Sequence, residues 1–244
     1  MPIELNDLET ARFGIVAARV TDAQASPAEI EAAARDRGVQ MLTARVDVGD
    51  LPRVHALEEA GYRLMDTLVY YARGLDGVAD RAPSPAGEIL RPATAADAPA
   101  VGQVARAAFA GYLGHYHADP RLGAAAADAA YVEWAETSVQ TVGPRRPALV
   151  ALQADRVVGF LTLRRNSDTE IEIVLNAVHP EAQRQGLYGR LVEHGMAAGR
   201  AAGCTRVIVS TQINNVAVQK VWARQGFCMS HGLYTFHKWI DAQA

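Results

Sequence analysis

Apolar and polar positions along the chain keep two rhythms, one of period two and one near 3.6, and the rhythms alternate from end to end. The weak alternation over residues 12–20 predicts a strand, and the stretch 27–37 predicts a helix with Ser26 as its N-cap, Pro27 at its first position and Gly38 as its stop. A strand over 41–48, a helix over 51–60 ended by Gly61, and strand material over 62–73 follow. Residues 74–87, rich in Gly, Pro, Asp and Ser, read as a linker. Beyond it come a short strand at 88–91, an Ala-rich helix from the N-cap Thr94 to about residue 110, a loop over 111–123 and a helix over 131–141. A hairpin of 148–152 with 157–163 leads into a strand at 169–178. Helix 191–202, strand 206–212, helix 216–224 and strand 233–240 complete the chain. The expected class is α+β, a mixed sheet flanked by helices, with a smaller half at 1–74, a linker at 75–87 and a larger domain at 88–244.

The punctuation of the first half returns in the second. Displacing the chain by 165 positions brings Gly38 onto Gly203 and Gly61 onto Gly226, with Tyr62 on Phe227, Leu68 on Leu233, Tyr71 on Phe236 and Arg73 on Lys238. Apolar positions between them match too: Val39 with Cys204, Leu42 with Val207, Val48 with Ile213 and Leu57 with Trp222. Two copies of one architecture are expected, the first of them degenerate.

Composition narrows the partners. Half of the 244 residues are hydrophobic and 21% are charged, as in folded globular domains. A formal charge of -3 without any Lys/Arg run argues against nucleic acid. No apolar run approaches the length of a membrane span, and the two cysteines, Cys204 and Cys228, have no metal-like spacing, which fits a cytoplasmic protein.

Candidate chemistry gathers in 170–191, where a strand ends at His179-Pro180, a polar turn holds Gln183, Arg184, Gln185 and Gly186, and a helical pattern begins. Such a helix start aims unpartnered backbone N–H groups and the positive end of the dipole into the turn, which makes an anion site suited to phosphate. The first half has no counterpart of this glycine turn upstream of Gly38, so its role is expected to be structural.

The order of elements from 88 to 240, together with Gln183-Arg184-Gln185-Gly186-Leu187-Tyr188 and with Asn215 followed by Gly226-Phe227, resembles the GCN5-related N-acetyltransferase superfamily. The superfamily pattern is Gln/Arg-x-x-Gly-x-Gly/Ala, from which Tyr188 departs. The whole chain, with a half lacking the glycine turn in front and a HYHADP insert, is similar to sugar N-acyltransferases of the dTDP-fucosamine acetyltransferase type. The resemblance implies acetyl-CoA as co-substrate, a small amine acceptor carried on a nucleotide-linked amino sugar, and a homodimer built through strand edges. An antibiotic or small amine as acceptor, or a silent acyl-CoA-binding module, are the alternatives.

Within the resemblance, the pyrophosphate is expected on the backbone of Gln183, Arg184, Gln185, Gly186, Leu187, Tyr188 and Gly189, the thioester against the strand near Ala177 and Val178, and the cofactor also near Asn215. Glu172 on the same strand is the candidate base, because a Glu on a half-buried strand can be tuned toward the working pH. The superfamily often supplies its acid from a Tyr seven residues after the Asn, where this chain has Trp222, so Tyr188 and Tyr234 are the candidate substitutes. His115 and His117 in the insert are candidates for contacting or deprotonating the acceptor, and with no third ligand nearby no metal is expected. His231 and His237 read as packing at the chain's end rather than as a relay.

Overall fold

The computed structural model describes residues 1–78 and 84–240, so part of the linker expected at 75–87 lies outside the described residues. The chain runs β1 (Ile3–Leu5), α1 (Asp7–Phe13), β2 (Ala17–Val20), α2 (Pro27–Asp36), β3 (Met41–Asp47), α3 (Leu51–Glu59), β4 (Arg63–Gly74), β5 (Glu88–Pro92), α4 (Ala98–Ala108) and α5 (His115–Ala118). It continues with α6 (Ala124–Gln140), β6 (Ala148–Gln153), β7 (Arg156–Arg165), β8 (Glu170–Val178), α7 (Leu187–Ala201), β9 (Arg206–Gln212), α8 (Val216–Arg224) and β10 (Cys228–Trp239). Contacts divide it into two compact units, the first from Met1–Val69, Leu113–Ala127 and His231–Ala244, the second from Tyr70–Tyr112 and Asp128–Ser230.

In the first unit β1 runs antiparallel to β2, β2 parallel to β3, and β10 antiparallel to β3, with Thr43 opposite His237 and Arg45 opposite Thr235. Alternation puts Leu42, Ala44, Val46 and Phe236 on one face, where they pack with Ile30, Ala34 and Leu57. The opposite face carries Thr43, Arg45, Thr235 and His237. The strand expected at 12–20 is shorter, because the Asn6 side chain accepts from Glu9 N and caps α1, which Gly14 ends in the left-handed region.

The second unit orders its strands β9-β8-β7-β6-β5, antiparallel except for the parallel pair of β8 with β9. Both units therefore hold a mixed sheet with helices packed on it. Leu161, Ile171, Ile173, Leu187, Leu191, Met196, Val207 and Trp222 form its core. The last strand, expected at 233–240, already begins at Cys228, and three helix boundaries move too: α5 stands inside the expected loop, α6 begins at Ala124 rather than 131, and α7 begins at Leu187 rather than 191. In each case small or polar residues dilute the apolar period that helix recognition depends on.

The repeat survives down to element ends. Met41–Asp47, Leu51–Glu59 and Arg63–Gly74 displaced by 165 positions become Arg206–Gln212, Val216–Arg224 and Cys228–Trp239. Gly38 and Gly203 take φ of 64° and 83°, and Gly61 and Gly226 take 77° and 80°. The closing bonds recur as well: Val39 N to Ala34 O at 2.9 Å matches Cys204 N to Gly199 O at 3.0 Å, and Tyr62 N to Leu57 O at 2.9 Å matches Phe227 N to Trp222 O at 3.0 Å.

Candidate active site

Strands β8 and β9 pair only from Glu170 opposite Arg206 to Ile173 opposite Val209, although β8 continues to Val178 and β9 to Gln212. Past Ile173 the two strands part. The cause lies on the other edge of β8, where the register with β7 shifts between Thr162 and Leu163. The Thr162 hydroxyl fills that shift, accepting from Leu175 N at 3.0 Å and donating to Leu175 O at 3.1 Å. Leu175 N and His179 N, the latter bonded to Val158 O at 2.8 Å, both point to β7. By strand alternation Ala177 N does so as well, and the N–H groups of Asn176 and Val178 face the gap that β9 has left. Of the two residues expected near the thioester, Val178 offers its backbone N–H to the gap and Ala177 does not.

Between β8 and α7 the chain makes a 3-10 turn over Pro180–Ala182, and Gln183 Nε2 bonds back to Val178 O at 3.0 Å, holding the turn against the strand end. Arg184 and Gly186 both take left-handed φ, 62° and 75°. Gly186 is the N-cap of α7 and no side chain caps the helix, whose first bond joins Arg190 N to Gly186 O. The N–H groups of Leu187, Tyr188 and Gly189 are those a helix start leaves without intrahelical partners. Arg190 lies alongside, ion-paired to Glu88 at 2.5 Å and bonded to Gln185 O at 3.0 Å. A Cβ on Gly186 would come within 2.9 Å of Arg190 Nη1.

The matching turn in the first unit is closed to anions. There Ser26 and Glu29 form a capping box, with Glu29 Oε2 accepting from Ser26 N at 2.8 Å, and Asp22 and Glu29 line the adjoining hollow. Carboxylates occupy the helix start that the second unit leaves open.

Tyr188 and Trp222 meet in the second unit. Trp222 Nε1 donates to the Tyr188 hydroxyl at 2.9 Å, the Trp222 ring packs on Tyr71 at 5.5 Å, and Tyr71 donates to Gln219. Burial, opposed by the Trp222 bond, raises the Tyr188 phenol above its ordinary value, so it stays protonated. Asn215 is the N-cap residue of α8 and donates to Thr211 at the end of β9. Tyr112 donates to Gln212 beside it. Glu172 sits on the paired half of β8, its Oε2 shared by Arg164 at 2.6 Å and Asn166 at 3.2 Å.

The other candidates lie in the first unit. Tyr234, opposite Val46, packs with Phe236 against the apolar core there. His115 is buried and its Nδ1 lies 3.0 Å from His237 Nε2, while His237 Nδ1 lies 2.8 Å from Asp119 Oδ2. Trp239 Nε1 donates to the same Asp119 oxygen at 2.9 Å. His237 is thus a link in a hydrogen-bond chain and not merely packing. It was missed because its partners lie more than a hundred positions away, a separation no local period reveals. His117 Nδ1 accepts from Gly114 N at 3.4 Å within α5. Thr162 was also missed, since a threonine inside a strand reads as ordinary β-former.

Residues 114–227 match the acetyltransferase (GNAT) family. Over that stretch the chain is similar to GNAT acetyltransferases. GNAT enzymes use acetyl-CoA as co-substrate. Among curated proteins the chain is similar to the spore coat polysaccharide biosynthesis protein SpsD of Bacillus subtilis (strain 168), at 26% identity over 155 residues, covering 64% of this chain and 52% of that protein. The chain therefore matches about half the length of this relative. Among solved structures it resembles a GCN5-related N-acetyltransferase from Sphaerobacter thermophilus, with TM-score 0.68 and 13% identity over 99% of this chain and 77% of the other. A tandem GNAT protein from the clavulanic acid biosynthesis pathway has TM-score 0.65 and 16% identity over 93% of this chain and 76% of its own. At these identities the likeness is one of fold, and it extends beyond the matched GNAT stretch to nearly the whole chain.

Proposed function

We propose that the protein transfers an acetyl or other short acyl group from coenzyme A to a primary amine of a nucleotide-linked amino-deoxysugar. The observation that carries this reading is the uncapped start of α7 at Gly186, set beside the strand edge that β9 has left. The N–H groups of 187–189 suit a pyrophosphate, and the edge N–H groups of Asn176 and Val178 suit the oxygen of a thioester under attack. Acetyl-CoA supplies the activated acyl group. Tyr188, protonated and oriented by Trp222, is the donor for the departing sulfur. The sharing of Glu172 Oε2 by Arg164 and Asn166 favours a base other than Glu172 for the amine.

A sugar acceptor is supported by the likeness to a protein of spore coat polysaccharide biosynthesis. Among the described residues no helix is long and apolar enough to cross a membrane, and a cytoplasmic location belongs to the same reading. Incubation with acetyl-CoA and a panel of dTDP-amino-deoxysugars, read by free-thiol release, tests it. Release with simple amines alone would reassign the acceptor, and tight acetyl-CoA binding without release from any amine would overturn the enzymatic reading.

A further inference from the structure

An arginine in the first turn of a helix stands at the unfavourable end of the helix dipole, and Arg190 of α7 is one. Its charge is met from another strand of the same unit. Glu88, the first residue of β5 and 102 positions away, takes Arg190 Nε at 2.6 Å on one oxygen and Nη2 at 2.5 Å on the other, the paired fork that an arginine offers and a lysine does not. The Glu88 side chain is 3% exposed and that of Arg190 17%, so solvent ions screen the pair little. On the other side of the guanidinium, Nη1 donates to Gln185 O at 3.0 Å.

Gln185 lies between Arg184 and Gly186, both left-handed, in a turn that is exposed. A residue with a side chain is strained in that region and stays there only where its surroundings over-determine it. Three ties do so. Gln185 O accepts from Arg190, Gln185 Oε1 accepts from Gln153 Nε2 on β6 at 3.4 Å, and Gln185 Nε2 donates to Glu181 O at 3.3 Å. The first two lead back to β5 and β6, the outer strands of this sheet. The guanidinium also lies so close to Gly186 that a Cβ there would come within 2.9 Å of Nη1, so position 186 needs glycine for space as well as for its φ. In the first unit the carboxylate of Glu29 accepts from the helix start itself, whereas Glu88 is engaged by Arg190 and no side chain caps α7.

We propose that Glu88 and Arg190 are positioning residues for the diphosphate of the acyl donor. Arg190, anchored by Glu88, holds Gln185 O and with it the turn whose N–H groups receive the anion, and it stays on Glu88 when the donor binds. The inference rests on the acyl-CoA reading. Its sign separates it from direct contact. A guanidinium that reached the phosphate would be freed for it by removal of the Glu88 charge, and binding would tighten. A brace that loses its anchor lets the turn relax, and binding weakens because the N–H groups are no longer held in place beforehand.

Calorimetric titration with coenzyme A and with pantetheine, which lacks the diphosphate, separates the turn from the rest of the site. Glu88→Gln and Arg190→Lys should each lower coenzyme A affinity about tenfold while pantetheine affinity stays within about twofold of the parent. Lysine keeps the charge and lacks the fork, so its loss reports geometry. Unchanged or tighter coenzyme A binding in Glu88→Gln would overturn the brace, and so would an equal loss for both ligands, which marks damage to the unit as a whole. If neither variant folds, proton NMR of the unaltered protein carries the test. The Arg190 Nε–H resonance should remain slowly exchanging with coenzyme A bound, and its loss on binding would show the guanidinium leaving Glu88 and overturn the proposal. Failure of the acyl-CoA reading would show separately, as no coenzyme A binding by the unaltered protein, and the brace would fall with it.

Discussion

Trp222 Nε1 and the Tyr188 hydroxyl share a hydrogen bond of 2.9 Å. These are the two positions at which the chain departs from the superfamily pattern, and in the structure they touch each other. On the proposed function, the hydroxyl that the pattern places on the helix of Trp222 is supplied instead from the start of α7, where the indole bonds to it. Tyr188→Phe should therefore lower kcat about 100-fold while sparing acetyl-CoA affinity. Adding Trp222→Tyr to it should recover a large part of the loss by returning a phenol to α8. Steady-state thiol release checks both, and full activity in Tyr188→Phe would remove Tyr188 from the mechanism.

Gly186→Val should weaken acetyl-CoA binding by about 10- to 100-fold. A β-branched residue is strained at a φ of 75°, and its Cβ would press on Arg190, disturbing the turn that aims the helix N–H groups. Calorimetric titration measures the affinity, and an undiminished value would sink the phosphate-turn assignment.

Thr162→Val keeps the shape of the side chain and removes the hydroxyl that bridges both backbone groups of Leu175. The lost bonds should destabilise the fold by about 1–3 kcal/mol. If the bulge also sets the strand edge for the thioester, kcat should fall further than KM rises. Denaturant melts and initial rates together test this, and equal stability with equal kcat would show the bulge to be self-sufficient.

Stability should decline as pH falls below about 6.5. Burial depresses His115 in the folded state, so the unfolded chain binds a proton there first and acid draws the equilibrium toward it. The contribution is complete above the unfolded value and is lost below it. A second acid loss belongs to Asp119, whose burial is outweighed by bonds from His237 and Trp239 and which is held at about 2, so its share disappears as pH falls from about 4 toward 2. Melting temperatures across pH 7 to 5 should fall more steeply in the parent than in His115→Gln, and parallel slopes would refute the assignment to His115.

Local order fixed much of this protein in advance. Gly38, Gly61, Gly203 and Gly226 end helices through φ that side chains resist, so their spacing alone marked the repeat and the ends of its helices. The uncapped helix start at Gly186 was legible for the same reason, since a strand, a glycine and a helix start are contiguous in sequence. Only the fold could decide the rest. That Tyr188 meets Trp222, that Thr162 props the bulge, and that Asp119, His237 and His115 form one chain all depend on pairings between distant segments. Those pairings are set by strand register and helix packing, which no stretch of sequence specifies by itself.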